Sequence, residues 1–443
     1  MTTLISMIGK GIPDKNELRG YQKVTYCFEC GKTVKTSCST NAILASRLYP
    51  IDKVVVIGTT TSSWGELLED SSEEFDIFSR LFDECEKGVP FDVKGDFSLK
   101  MKDLLQKRWN VESVSFVATP AELTSETAKD IYEEYIRKCQ GAERDFILDV
   151  THGLRWMPMF LTSAIRYKEM VEHGVDNIRL LYAEIPPGKN PDKTGSIRQL
   201  DALWDGQKTA EAMRIFIDKF DSTELLHQMD LQLPLDSCPK LKEAMENFGN
   251  SMQADYLMPL VWDRNDTSGG YPLGKYVKQL RNGIKEVGKL EEKACCPSWL
   301  SRVAGEMKDW VDRLQKNDYP SGRLLALADM YADRKLWGQA MLALDVALRI
   351  FACERYQPGR YPQWGDAKRN TEKLLADMKH HNIDNITDVD VKTFRNLMWT
   401  RNMIAHGTLT SPDDPQKTPD KPNLAKDYNR FRMVLDKLFV CRS

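Results

Sequence analysis

The 443-residue chain contains no apolar run near the ~20 residues a membrane-spanning helix needs, so a helical membrane protein is not expected. It also lacks an excess of positive charge. With 62 Lys and Arg against 65 Asp and Glu, the formal net charge is -3, which argues against a cationic coat for holding duplex DNA and leaves only a local nucleic-acid site open. Ten cysteines are too dilute for a disulfide scaffold and suit a reducing compartment. Their one cluster, Cys27, Cys30 and Cys38, has no second CxxC or nearby histidine to complete the four ligands zinc normally takes. A β-hairpin turning at Glu29-Cys30-Gly31-Lys32 explains it better, and no metal site is expected. The opening MTTLISMIGKG is not a basic start followed by an apolar stretch, as a secretory leader would be; it reads as a β-strand, and a cytoplasmic protein without membrane association is the expectation. No internal repeat is present, and no G-x-G-x-x-G opens a helix after the first strand, since Gly9-Lys10-Gly11 runs into Ile12-Pro13.

What is present divides near residue 200. Across residues 1–200, β-branched runs alternate with helical stretches: Leu4 to Ile8, Lys53 to Ile57, Ser113 to Val117, Phe146 to Val150 and Ile178 to Tyr182. All but the last are followed within a few residues by Gly, Thr or Ser, and three of these lead into a helix-like pattern, the signature of crossover units in a parallel sheet. An α/β Rossmann-like domain is predicted there. The sequence PPGKNPDKTGS, between Ile185 and Ile197, reads as a closing loop. Residues 201–443 are helical in pattern, as in Ala340, Leu342, Ala343, Val346, Ala347 and Ile350. An all-α second domain is predicted, with a Pro-rich insertion at 408–423 ahead of a last amphipathic helix.

In such sheets, ligands collect at loops leaving the carboxyl ends of the strands. Those loops hold Gly9, Lys10 and Gly11; Thr59, Thr60, Ser62, Ser63 and Trp64; Thr119; and Thr151, His152, Gly153 and Arg155. Glycines allow close backbone approach, hydroxyls and amides donate to phosphate oxygens, Lys10 and Arg155 offset charge, and Trp64 is placed to stack on a base. The competing reading is that Asp149, Thr151 and His152 cap a helix beginning near Leu154.

The segment from Phe394 to Gly407 carries Arg401-Asn402-x-x-x-His406. An Arg followed by a His at such spacing arises by chance about once in a chain with this many histidines. Arg166 and His173 are that chance pair, with no accompanying Asn. Arg401 differs because Val391, Phe394, Met398, Arg401 and Ala405 fall on one helical stripe, where a cation needs an acidic mate, a subunit interface or a bound phosphate. Asn402 and His406 share a face, and Gly407 ends the helix, leaving His406 in the last turn. The plainer alternative is a core helix with Arg401 salt-bridged and His406 capping.

With Asp149-Val-Thr151-His152-Gly153-Leu-Arg155 in the first domain and Arg-Asn-x-x-x-His near the end of the second, the chain resembles the CARF-HEPN ribonucleases of type III CRISPR systems along essentially its whole length. The resemblance implies a homodimer in which Arg401, Asn402 and His406 of two copies form one metal-independent site cutting single-stranded RNA. It further implies an activating cyclic oligoadenylate, tetra-adenylate ahead of hexa-adenylate, held by the first domain and shifting how the helical domains meet; no cofactor is implied. A ligand-responsive module that grips RNA or protein without cutting is the alternative.

Overall fold

A computed structural model describes residues 1–14, 21–68, 75–139, 144–172, 175, 177–185, 194–233, 237–293, 296–380, 383, 386–406 and 423–440; within these, the side chains of Glu172, Trp364, Trp399, Asn402, Met403, Ala405 and His406 lie outside the description. The chain forms two compact units, Met1–Gly206 and Gln207–Ser443.

The first unit is built in the order β1 (Thr2–Met7), β2 (Val24–Phe28), β3 (Thr33–Thr36), α1 (Ser39–Ser46), β4 (Lys53–Thr59), a 3-10 turn (Trp64–Leu67), α2 (Phe75–Glu86), α3 (Asp96–Trp109), β5 (Ser113–Thr119), α4 (Ser125–Cys139), β6 (Asp145–Asp149), α5 (Trp156–Glu172), β7 (Asn177–Glu184) and β8 (Thr194–Gln199). One eight-stranded sheet runs β3-β2-β8-β7-β6-β1-β4-β5. The strands β5, β4, β1, β6 and β7 are mutually parallel, as their β-branched runs require when helices cover both faces. Leu4, Ile8, Val54 and Val56 belong to the core on one face, Ile5, Met7, Val55 and Ile57 to the core on the other.

One feature departs from the sequence reading, and the expected hairpin is present. Within the stretch taken as a closing loop, Thr194–Gln199 is a strand, antiparallel to β7 and parallel to β2. It escaped notice because only Gly195 and Ile197 along it are buried, too few to set up an alternation. The hairpin at Glu29-Cys30-Gly31-Lys32 joins β2 to β3, with Gly31 at φ +84°. Among the described residues no three His, Cys, Asp or Glu side chains are gathered for a metal.

The second unit is entirely helical among its described residues. It comprises α6 (Asp201–Lys219), α7 (Thr223–Gln232), α8 (Pro239–Gln253), α9 (Met258–Val261), α10 (Lys275–Glu292), α11 (Ser298–Gln315), α12 (Pro320–Asp333), α13 (Trp337–Tyr356), α14 (Trp364–Lys379), α15 (Asp388–His406) and α16 (Leu424–Val440). Phe248 stacks on Trp310 at 5.4 Å, and Phe220 meets the same indole edge-on at 5.3 Å. α13 lies deep in the packing, with Ala340, Leu344, Ala347, Leu348 and Phe351 all buried. No described helix is long and apolar enough to cross a membrane. The insertion at 408–423 and the decoy His173 lie outside the described residues, apart from Asn423.

Candidate functional site

Strand order reverses at β1. β4 and β5 lie on one side of β1 and β6 and β7 on the other, so the loops leaving the adjacent strands β1 and β6 flank a crevice. The loop after β1 carries Gly9 to Gly11, and the loop after β6 carries Thr151 to Arg155. They approach closely: a Cβ on Gly9 would stand 3.3 Å from the Gly153 nitrogen.

A buried carboxylate organises the floor. The Asp149 Oδ2 accepts from the Ser6 hydroxyl at 2.6 Å and the Ser39 hydroxyl at 2.7 Å, and its Oδ1 accepts from the Thr151 hydroxyl at 2.5 Å and amide at 3.1 Å. The Thr151 hydroxyl in turn accepts the Ala183 N–H at 2.8 Å. A carboxylate with this many donors is well compensated for its burial.

Above this floor is a cavity of about 180 Å³ lined by Gly9 to Ile12, Gln22, Tyr26, Ser37, Glu66 and His152. The Glu66 backbone is fixed because its carbonyl accepts from the Ser37 hydroxyl and the Asn41 amide, each at 3.1 Å. Burial then raises the Glu66 carboxyl to about 8, so it is neutral at physiological pH. Burial also lowers the His152 imidazole, outweighing the opposing pull of Asp149, and its Nε2 is buried with no hydrogen-bond partner. The Tyr26 hydroxyl is likewise buried and unpartnered.

In the second unit, α15 starts on a reciprocal cap. The Asp390 Oδ2 accepts from the Thr387 amide at 3.0 Å, and the Asp390 N–H donates to the Thr387 hydroxyl at 3.3 Å. The helix then buries Thr393, Phe394, Leu397 and Thr400, and Arg401 sits at the edge of that face with its side chain 25% exposed. Its Nε lies 3.5 Å from the Oδ2 of Asp345 on α13. Asp345 is 1% exposed and also accepts from Arg349 one turn on, at 2.8 Å from Nε and 3.1 Å from Nη2. Of the three partners the sequence required for a cation at Arg401, the chain itself supplies the acidic mate. The side chains of Asn402 and His406 lie outside the described residues.

Residues 3–185 match the family model described as the CARF domain of the CRISPR system endoribonuclease Csx1. That match spans most of the first unit, which is similar to this CARF domain. The CRISPR-associated protein MJ1674 of Methanocaldococcus jannaschii is 21% identical over 469 residues, spanning 99% of this chain and 68% of that one. A solved structure of Enterococcus italicus Csm6 bound to cyclic hexa-2′-fluoro-hexa-dAMP aligns over 100% of this chain and 94% of its own, at a TM-score of 0.35 and 12% identity.

Within the first unit, several loop residues have roles other than those expected. Trp64 is no stacking platform for a base: it is 2% exposed, lies 4.5 Å from the Phe91 ring at 15°, and donates its ring N–H to the Thr59 carbonyl. The hydroxyls of Thr59, Ser62 and Thr119 are buried and engaged inside the fold, Ser62 with the Ile8 carbonyl and Thr119 with the Gly58 carbonyl. Ser63 accepts the Gly11 N–H at 2.8 Å, and Thr60 donates its amide to the Thr119 carbonyl. These residues brace the crevice instead of lining it. Thr151 does the same through Asp149, and neither it nor Gly153 caps a helix at Leu154, since α5 begins at Trp156. Gly9, Lys10, Gly11 and His152 do meet, around the cavity, and Lys10, Gly153 and Arg155 are exposed. Glu66, Tyr26, Gln22 and Ser37 were missed.

Gly153 adopts φ +95°, a region open to glycine but strained for other residues. An alanine there would also place its Cβ 3.1 Å from the Met157 sulfur. Gly153→Ala is expected to destabilise the CARF domain by ~1–2 kcal/mol, read as a lower urea midpoint.

Proposed function

We propose that the protein is a metal-independent endoribonuclease of the CARF-HEPN kind that cleaves single-stranded RNA when a cyclic oligoadenylate, tetra-adenylate ahead of hexa-adenylate, occupies its CARF domain, and that it acts as a homodimer in type III CRISPR antiviral defence. The observation that carries this reading is Arg401, held at the rim of the helical unit by Asp345, on a helix that ends at His406 behind a CARF domain whose family model is described as that of an endoribonuclease.

RNA supplies its own nucleophile, the 2′-hydroxyl, so the protein has only to move protons and meet the charge that develops on the phosphorus. One carboxylate between two guanidiniums leaves the trio Asp345, Arg349 and Arg401 with a net positive charge, which favours a phosphate nearby. Arg401 then contacts the scissile phosphate, His406 transfers a proton or positions the 2′-hydroxyl, and Asn402 orients one of the pair. Two copies bring two such sets together, and a ring with its own two-fold axis matches two copies of one crevice. Ring binding raises activity by favouring the arrangement in which the two sets meet, and RNA reciprocally favours ring binding.

The test is RNA cleavage by the purified full chain, with chelator, in the presence and absence of cyclic tetra- and hexa-adenylate. Cleavage that rises with one ring and persists in chelator is expected. Indifference to both rings across a wide concentration range overturns the activation, and loss in chelator overturns the metal-independent chemistry.

A further inference from the structure

Buried polar atoms without partners are rare in folded proteins, and each calls for an occupant or an ordered water. The crevice of the CARF domain gathers two at one place. The Tyr26 hydroxyl and the His152 Nε2 are buried and unpartnered, and both residues line the cavity that Glu66 also lines. The Glu66 carboxyl stands against the chain of the β1 loop, where a Cβ on Gly11 would fall 1.9 Å from its Oε1. Only glycine there leaves room for the carboxyl.

Resting on the proposed function, we infer that this cavity receives one adenine of the activator ring and that the Glu66 carboxyl reads the base edge, donating to a ring nitrogen and accepting from the exocyclic amine. A cavity of ~150 Å³ suffices for benzene elsewhere, so about 180 Å³ admits a base edge-on. The polar lining selects a neutral group over a phosphate. Glu66 holds its proton up to about 8, and burial disfavours the charged form of the His152 imidazole. A protonated carboxyl offers one donor and one acceptor, the complement of the adenine edge, whereas a carboxylate offers acceptors only. The phosphates then belong at the mouth of the cavity, where the exposed Lys10 lines the rim, and near the exposed Arg155.

The assignment carries a pH dependence. Lys10, Tyr26 and His152 share the cavity with Glu66, Tyr21 ahead of β2 lies close to it, and the groups acting on those two tyrosines are Cys38 before α1, Cys85 and Glu86 on α2, and Asp149 at the β6 end. All of these remain in Glu66→Gln, so the difference between the two proteins isolates Glu66.

Ring binding to the full-length wild type, Glu66→Gln and Glu66→Leu, measured calorimetrically with unfolding midpoints in parallel, tests the assignment. Glutamine copies the donor and acceptor of a protonated carboxyl, so Glu66→Gln is expected to bind within about threefold of wild type at pH 7 and Glu66→Leu at least about tenfold more weakly. Between pH 6.5 and 9.5, wild-type affinity is expected to fall above pH 8 by up to about tenfold per unit, while Glu66→Gln stays level. The pH comparison holds even where the leucine variant misfolds. Equal binding by a folded Glu66→Leu, weakened binding in a folded Glu66→Gln, or parallel pH profiles for wild type and Glu66→Gln overturns the inference alone. A wild type that binds neither ring overturns the proposed activation and this assignment with it.

Discussion

Arg401→Ala is expected to lower ring-stimulated RNA cleavage by ~10²–10³-fold, the usual loss when a donor to a developing oxyanion is removed, while leaving ring binding by the CARF domain unchanged. The fold should survive the substitution. Asp345 keeps the two contacts from Arg349, at 2.8 and 3.1 Å, so its buried carboxylate is not stranded. Arg401→Lys should not rescue cleavage, because an ammonium cannot face Asp345 and a phosphate together through a planar fork. Asp345→Asn gives the complementary measurement. If Asp345 acts by aiming Arg401, its loss costs activity in wild type and little more in Arg401→Ala, whereas a merely architectural residue adds its full effect in both backgrounds. His406→Ala should lose cleavage with ring binding intact. Full activity in folded Arg401→Ala sinks the proposed catalytic site.

The second large effect concerns stability. Glu66 is 5% exposed, and burial moves its carboxyl from 4.5 to about 8. In the unfolded chain the group ionises near 4.5, while in the folded chain it keeps its proton to about 8. Folding therefore becomes less favourable as pH rises across that window and levels off above it; the group's stabilising contribution is whole below 4.5 and gone beyond 8. At ~1.4 kcal/mol per pH unit, the swing is on the order of 4 to 5 kcal/mol. Glu66→Gln has no proton to lose. Urea midpoints of the two proteins should nearly coincide at pH 4.5 and separate progressively up to pH 8.5, with the variant more stable. Parallel midpoints across that range would show that Glu66 is not held neutral.

The parts of the fold legible in sequence are those whose physics is local. β1, β4, β5, β6 and β7 were readable because strands buried on both faces must be apolar almost throughout. The helical unit was readable from its 3.6-residue period. β8 was not, because its place comes from pairing with β7 and β2, and Thr-Gly-Ser-Ile-Arg-Gln advertises nothing on its own. Trp64 was misread for the same reason: a Trp after Thr-Thr-Thr-Ser-Ser looks exposed until Phe91 is folded onto it. Glu66 resembled a surface carboxylate in Trp-Gly-Glu-Leu, since its burial depends on a glycine loop more than fifty residues earlier. Arg401 was found from its stripe, which left an acidic mate, a subunit interface and a bound phosphate open as its partner. Asp345 could have been found, because Asp and Arg four apart in Leu-Ala-Leu-Asp-Val-Ala-Leu-Arg-Ile are the charged interruptions of an apolar helix.

Asp149 ties the end of β1 and the start of α1 to the β6 loop, and through Thr151 to β7. The floor beneath His152 and Gly9 is therefore cross-linked among three strands and a helix by one carboxylate and one hydroxyl, so that replacing Asp149 loosens four elements together.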